Sequence, residues 1–429
     1  MRILLQKIQL FACAILVLVT LAATANADAV SEMNRVATQS SAANVPARGA
    51  TQTTRIVAMS QIAIHDALNA IDPRYESYAY STPGDPSASP VAAVAAAAFN
   101  VLRFENPTTL AMLTAEYNAL LATVPDGPAK DAGIAIGEAS ALAIRTARVD
   151  DGSAAVCPTY VPGTLPGDWR PTPNGFLPFL TPCWGTVKPF TMRSGDRFRP
   201  PSRPYFKLSS SHYTRDYLEV KEFGSATSTS RDSDQSEAAR FWYPGPVWFT
   251  WGRIGTMVGV QQGGLDLWES GRMYALLGVT NADSLISIWD AKRFYAFWRP
   301  VTAIREADTD GNPATEQDAT WSSYMVTPNY PDNSSGHSGI DAGSAEILQR
   351  FFETDEFNPV SLATTLPPNP PLTRTFTSFS GAAIDGAESR IWGGIHFRQA
   401  CVDGLQQGTA VGRQVFNHFF RPLEEKRGK

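Results

Sequence analysis

Apolar residues recur every three or four positions along most of this chain, and no window sustains the two-residue alternation of a strand. Between Arg55 and Ile71, for example, Ile56, Met59, Ile62, Ala63, Ala67 and Ile71 fall on one helical face. Alanine-rich stretches at Val91–Leu102, Thr109–Ala122 and Gly127–Val149 continue the pattern. It resumes at Thr214–Phe223, Ser236–Trp242, Gly252–Gln261, Leu265–Thr280, Asp283–Trp298, Ile340–Phe352 and Ile395–Phe420. The spacing predicts an all-α protein built of helical bundles, with no internal repeat.

One segment breaks the rhythm. Residues 151–205 are rich in proline, glycine and aromatic residues, too broken for a helix and too apolar for a loose linker. This stretch reads as an ordered excursion that wraps the helical body and contributes to a pocket rim. It separates an N-terminal helical region, 28–150, from a C-terminal one, 206–429.

Residues 1–27 read as a secretory signal, with Arg2 and Lys7 at its start, an apolar run from Leu10 to Ala23, and Ala25-Asn26-Ala27 as a cleavage site. Cleavage there takes the net charge from −5 to −7. The mature chain is expected in the periplasm or outside the cell, with no membrane span, and its acidity gives no reason to expect a nucleic-acid partner. Cys13 leaves with the signal, so Cys157, Cys183 and Cys401 remain. Export permits a Cys157–Cys183 bridge, and the sequence leaves it open.

Chemistry concentrates in three clusters of the last third. Lys292 and Arg299 are seven residues apart at the end of a predicted helix closed by Pro300, so both side chains can converge on one anion. A turn-rich stretch then leads through Ser335-Gly336-His337-Ser338 into a helix beginning near Ile340, which aims backbone N–H groups and a hydroxyl at the same anion. Last, Ser389-Arg390 precedes His396. Gly393-Gly394 interrupts the helix between them, placing Arg390 on the approach and His396 in the first turn of the final helix. Three cations, a hydroxyl, a glycine and two imidazoles suit a tetrahedral oxyanion such as phosphate or vanadate.

In this order the clusters resemble the superfamily that joins soluble bacterial acid phosphatases, type 2 phosphatidic acid phosphatases and vanadium-dependent haloperoxidases. The shared pattern is Lys-x6-Arg-Pro, then Pro-Ser-Gly-His, then Ser-Arg-x5-His-x3-Asp. Here Ser334 stands in place of the proline and Ala400 in place of the aspartate. Asp403, seven residues after His396, is the candidate to orient that histidine instead. Trp289-Asp290-Ala291-Lys292 and the run Phe297 to Arg305 are most similar to exported bacterial haloperoxidase-like proteins, as are Ile64 to Ile71 and Gly163 to Phe190.

The resemblance implies bundled helices with the oxyanion held by Lys292, Arg299, Ser335, Gly336 and Arg390. It implies that His396 coordinates vanadium and His337 acts as acid and base while hydrogen peroxide oxidises a halide. Trp289 matches a pocket aromatic and Tyr330 a halide-side position. A phosphatase, needing no cofactor, would use His396 as nucleophile on a phosphate ester with His337 protonating the leaving oxygen. A third possibility is an oxyanion-binding protein without turnover. The remaining features read as structural: His65 and Asp66 as satisfied buried polar groups, and Asp308 to Asn312 as a turn. His212 and His418 lack supporting partners. The oligomeric state is not legible.

Overall fold

The computed structural model describes residues 28–173, 175–243, 245–364 and 371–423, so the signal segment lies outside the described residues. Five helices form the N-terminal bundle: α1 (Ala29–Ala43), α2 (Ala50–Ile71), α3 (Pro90–Glu105), α4 (Leu110–Leu121) and α5 (Pro128–Arg148). The next three are α6 (Ser211–Phe223), α7 (Ser233–Trp242) and α8 (Val247–Gln261). The rest of the chain carries α9 (Leu267–Tyr295), α10 (Pro300–Arg305), α11 (Gly336–Phe352), α12 (Phe379–Trp392) and α13 (Arg398–His418). Among the described residues no helix is long and apolar enough to cross a membrane.

The predicted all-α architecture holds, with one addition. Strands β1 (Glu356–Ala363) and β2 (Thr373–Ser378) pair antiparallel as a hairpin, with Val360 opposite Phe376. The inward positions Val360, Leu362 and Phe376 are buried, but a register irregularity between Glu356 and Val360 breaks the alternation that would have revealed the strand.

The two segments expected at Leu265–Thr280 and Asp283–Trp298 are one helix, α9, of 29 residues. Nothing between them breaks a helix, and the Asp266 carboxylate caps the start by accepting from the Trp268 and Glu269 N–H groups. One face of α9 packs on α2 of the N-terminal bundle and others on α11 and α13. Helices α11 and α13 approach so closely that a Cβ on Gly408 would lie 1.9 Å from the Gly339 carbonyl oxygen. Only glycine permits that contact.

The proline-rich segment lies along α9. Asp283 on that helix accepts hydrogen bonds from the Phe190 and Thr191 amides and from the Thr191 hydroxyl. Trp169 N–H donates to the Ala296 carbonyl where α9 ends. A Cys157–Cys183 disulfide spans a sequence separation of 26 residues, and Cys401 is free and buried.

Candidate oxyanion site

Helix α9 stops at Tyr295 because Ala296 takes a left-handed conformation, φ 45°, with its N–H bonded to the Lys292 carbonyl. Lys292 therefore lies in the last helical turn and Arg299 lies beyond the helix, which corrects the expectation of two residues on one helical face. Pro300 likewise opens α10 as its first residue, with Arg299 as N-cap, rather than closing α9. The side chains still meet, because the turn between the helices folds Arg299 back beside Lys292.

Both cations are fully buried and grip the loop before α11. Lys292 Nζ donates to the carbonyls of Pro331 (2.7 Å) and Asp332 (3.0 Å), leaving one of its three N–H bonds free. Arg299 Nε donates to the Tyr330 carbonyl at 2.8 Å, and Nη1 reaches the Ile395 carbonyl. The Tyr330 ring lies 5.0 Å from both Lys292 Nζ and Arg299 Cζ, and 5.0 Å from the Trp289 ring. Tyr330 is thus an aromatic floor beneath two cations. Trp289 is held in turn by donating to the Leu180 carbonyl at 3.1 Å, so the excursion braces the site through Trp289 without lining its cavity.

Helix α11 begins at Gly336, earlier than expected, with Ser335 as N-cap. Ser335 Oγ accepts from the Ser338 amide at 3.4 Å and the Ser338 hydroxyl at 2.9 Å, which leaves its own proton available to a ligand. Ser335 thus caps the helix and still has a hydroxyl proton to give. A Cβ on Gly336 would meet only Leu285 and Trp289, at 3.7 and 3.8 Å. Packing does not demand glycine there, so its bareness matters on the cavity side.

Helix α12 ends at Trp392, and Gly394, φ +75°, turns the chain back toward the site. A Cβ on Gly394 would lie 2.2 Å from the Gly224 carbonyl oxygen. His396 then lies on the linker, two residues before α13, rather than in that helix's first turn. That placement also voids the helical argument for Asp403. Its carboxylate accepts from Asn333 Nδ2 (2.7 Å), Gln399 Nε2 (2.9 Å) and Arg203 Nε (3.1 Å) and makes no hydrogen bond to His396. It pins the loop leading to Ser335 instead.

The carboxylate on His396 is Asp332. Its Oδ1 lies 2.8 Å from His396 Nδ1, while Oδ2 accepts from the Tyr205 hydroxyl at 2.9 Å. Sequence reasoning passed over Asp332, although an acidic residue three positions before Ser335 and next to Pro331 was a visible signal. With Nδ1–H donated to Asp332, the Nε2 lone pair is presented to the site, where Arg299 Nη1 stands 3.1 Å away. Burial pushes the Asp332 carboxyl up to about 7, against the pull of Arg299 and Lys292.

Burial together with the three cations has one electrostatic outcome. His396 is driven well below its ordinary range by burial and then by Arg299, Lys292 and Arg390. His337 is driven down by burial and then chiefly by Arg390. Both imidazoles are therefore neutral near pH 7. Lys292 is also held well below its usual range, by burial and by Arg299. Arg390 Nε donates to Ser389 Oγ at 3.0 Å. Among the described residues Arg299 Nη2, Arg390 Nη2 and His337 Nε2 are buried and have no hydrogen-bond partner. A cavity of about 280 Å³ opens at His337, with Gly336, Trp289 and Tyr330 also in its wall.

Residues 272–425 match the family described as the VCPO second helical-bundle domain, a span that contains all three clusters. No curated protein sequence matches the chain. Among solved structures, a bacterial vanadium-dependent iodoperoxidase superposes with a TM-score of 0.78 at 23% identity, covering 92% of this chain and 97% of that one. A bacterial vanadium-dependent chloroperoxidase in its holo form gives 0.67 at 18% identity, covering 86% and 92%. An apo form of such a chloroperoxidase gives 0.68 at 18%, covering 86% and 94%. Residues 272–425 thus carry that second helical-bundle domain, and the chain as a whole shares its fold with these vanadium-dependent peroxidases.

Proposed function

We propose that this protein is an exported vanadium-dependent haloperoxidase that oxidises halide with hydrogen peroxide. The observation that carries the reading is the pair of buried guanidinium donors without partners among the described residues, Arg299 Nη2 and Arg390 Nη2, together with the unpartnered Nε2 of a neutral His337 and a neutral His396. Each unpartnered buried donor costs about 1–3 kcal/mol, more when charged, and an oxyanion removes that cost. Vanadate fits the donor set. Lys292, Arg299, Arg390, the Ser335 hydroxyl and the Gly336 N–H would hold its oxygens, and His396 Nε2 would face the metal. Bound vanadate supplies Lewis-acid activation of peroxide toward a halide.

The chain's own residues supply the rest. Asp332 fixes the tautomer of His396 by taking its Nδ1 proton, so that Nε2 is always the ligating atom. The three cations neutralise the anion's charge in a site largely closed to water, where each interaction is stronger than in solution. His337, kept neutral by burial and Arg390, accepts a proton from incoming peroxide at its open Nε2. The aromatic pair Trp289 and Tyr330 beside the cavity shields that chemistry from bulk water. The leader at 1–27 and the Cys157–Cys183 bridge support export to an oxidising compartment.

The test uses purified residues 28–429 with hydrogen peroxide and bromide or iodide, before and after adding orthovanadate, alongside 4-nitrophenyl phosphate hydrolysis without vanadate. Vanadate-dependent halogenation is the expected result. Hydrolysis that vanadate inhibits, with no halogenation, would make His396 a phosphoryl nucleophile instead. Tight anion binding without either turnover would leave a binding protein.

A further inference from the structure

The cavity beside the oxyanion site has a far wall that the three clusters do not supply. It comes from the N-terminal bundle and from α8: Thr38 on α1, Arg48 in the α1–α2 connection, and Trp248 in the first turn of α8. Each of these residues carries a buried polar atom without a partner, namely Thr38 Oγ1, Arg48 Nε and Trp248 Nε1. All three groups can donate, and Thr38 itself is only 7% exposed. No Asp or Glu lines the cavity; Arg48 Nη2 donates to the Glu105 main-chain carbonyl, and among the described residues Arg48 forms no ion pair with a carboxylate. The remaining surface is apolar or aromatic, including Leu285, Trp289, Tyr330 and Ile340.

We infer that this cavity binds an aromatic anion, a carboxylate or phenolate on one ring or a fused pair, seated between the oxyanion site and Arg48. Size, walls and charge agree on that class. A volume of about 280 Å³ is roughly twice that of a dry cavity of about 150 Å³ that accepts benzene. Indole and phenol walls suit a flat ring, and the unpartnered Nε of a guanidinium that lacks a carboxylate partner, with two further donors, suits a negatively charged oxygen at the ring's far end. The ring itself lies toward His337, the one lining residue that also belongs to the oxyanion site's acid and base chemistry.

What happens to the ligand rests on the halide-oxidation reading, whereas its binding does not. On that reading the ring takes the halogen. A C–X bond forms as the O–X bond of hypohalous acid breaks, and the displaced ring proton leaves with the hydroxide as water. An electron-rich ring held beside the site would be modified where it sits, so one ring position would be favoured over the others.

The experiment is calorimetric titration of residues 28–429 with 4-hydroxybenzoate and with its uncharged twin 4-hydroxybenzamide, in saturating phosphate. Phosphate fills the oxyanion site, so an acid that merely competes for Lys292, Arg299 and Arg390 is excluded from the signal. We expect the acid to bind at least tenfold more tightly than the amide, and Arg48→Gln to shrink that preference below threefold. Thr38→Val, a change of similar shape, should weaken both ligands by a few fold and keeps the test decisive if Arg48→Gln fails to fold. Equal binding of acid and amide, a preference that persists in Arg48→Gln, or loss of the acid's binding when phosphate is present would overturn the proposal. Neither peroxide, halide nor vanadate enters the measurement, so failure of halogenation and failure of this site are separate results.

Discussion

Two buried arginine clusters in this molecule are treated in opposite ways. At the base of the N-terminal bundle, Arg55 Nε and Arg148 Nη2 both close on Asp151, at 2.7 and 2.9 Å, and Arg148 also donates to the Pro189 carbonyl. In the C-terminal half, Arg299 and Arg390 are as deeply buried, yet each keeps one terminal nitrogen without a partner. Arg299 comes no nearer to a carboxylate than 3.8 Å, at Asp332, whose Oδ1 is 2.8 Å from His396. A satisfied cluster holds a structure together, whereas an unsatisfied one is held by its surroundings and waits for an anion. Burial alone does not separate the two; the partner inventory does.

The sharpest way to break that contrast is to remove the shared carboxylate of the first cluster. Asp151→Ala leaves buried Arg148 without a carboxylate and Arg55 with Glu105 alone, and should cost about 3–5 kcal/mol in denaturant unfolding. Orthovanadate affinity should be unchanged, and a change there would show that the clusters are coupled. Arg390→Ala should do the reverse. Deleting one charged contact is worth about 1.5–3 kcal/mol, so calorimetry should record about a 100-fold loss of orthovanadate affinity, with stability equal to the parent's or higher.

Asp332→Asn sharpens the picture inside the site by releasing the tautomer of His396. A loss of about 10–100-fold in orthovanadate affinity is expected from comparable partners of metal-ligating histidines. Adding Ala400→Asp to that variant should restore part of the loss, because it returns a carboxylate to the helix that follows His396. Asp403→Ala, which disturbs only the Asn333 loop, should cost less than Asp332→Asn.

The smallest expected effect concerns pH. Asp341 on α11 accepts from Trp251 Nε1 at 2.8 Å, its other oxygen has no partner, and burial pushes its carboxyl up to about 8, with Asp385 adding to the push and Arg390 opposing it. Between about 4 and 8 the native state keeps a proton that the unfolded chain has lost, so this group's contribution falls as pH rises through that window. Asp341→Asn should therefore gain stability on the parent as pH rises from 5 to 8, and an equal difference at both would refute the assignment.

The all-α fold and the three clusters were legible because helical periodicity and motif order are local properties of the chain. What was not legible depended on where helices stop. A left-handed Ala296 has no sequence signature like that of glycine, so α9 seemed to run on to Trp298. Placing His396 inside α13 made Asp403 look like its partner, when the linker in fact turns the imidazole toward Asp332. The cavity's far wall was invisible for a different reason. Thr38, Arg48 and Trp248 lie far from the clusters in sequence and meet them only through tertiary packing.

Helix α9 belongs to both bundles at once, with one face on α2 and others on α11 and α13, and Lys292 near its end. At about 1.5 Å per residue it is a rod of roughly 44 Å. Swinging the two halves apart would have to bend that rod or strip one of its packed faces. A small anion would reach the buried cations past side chains and connecting loops, motions of about nanoseconds to microseconds.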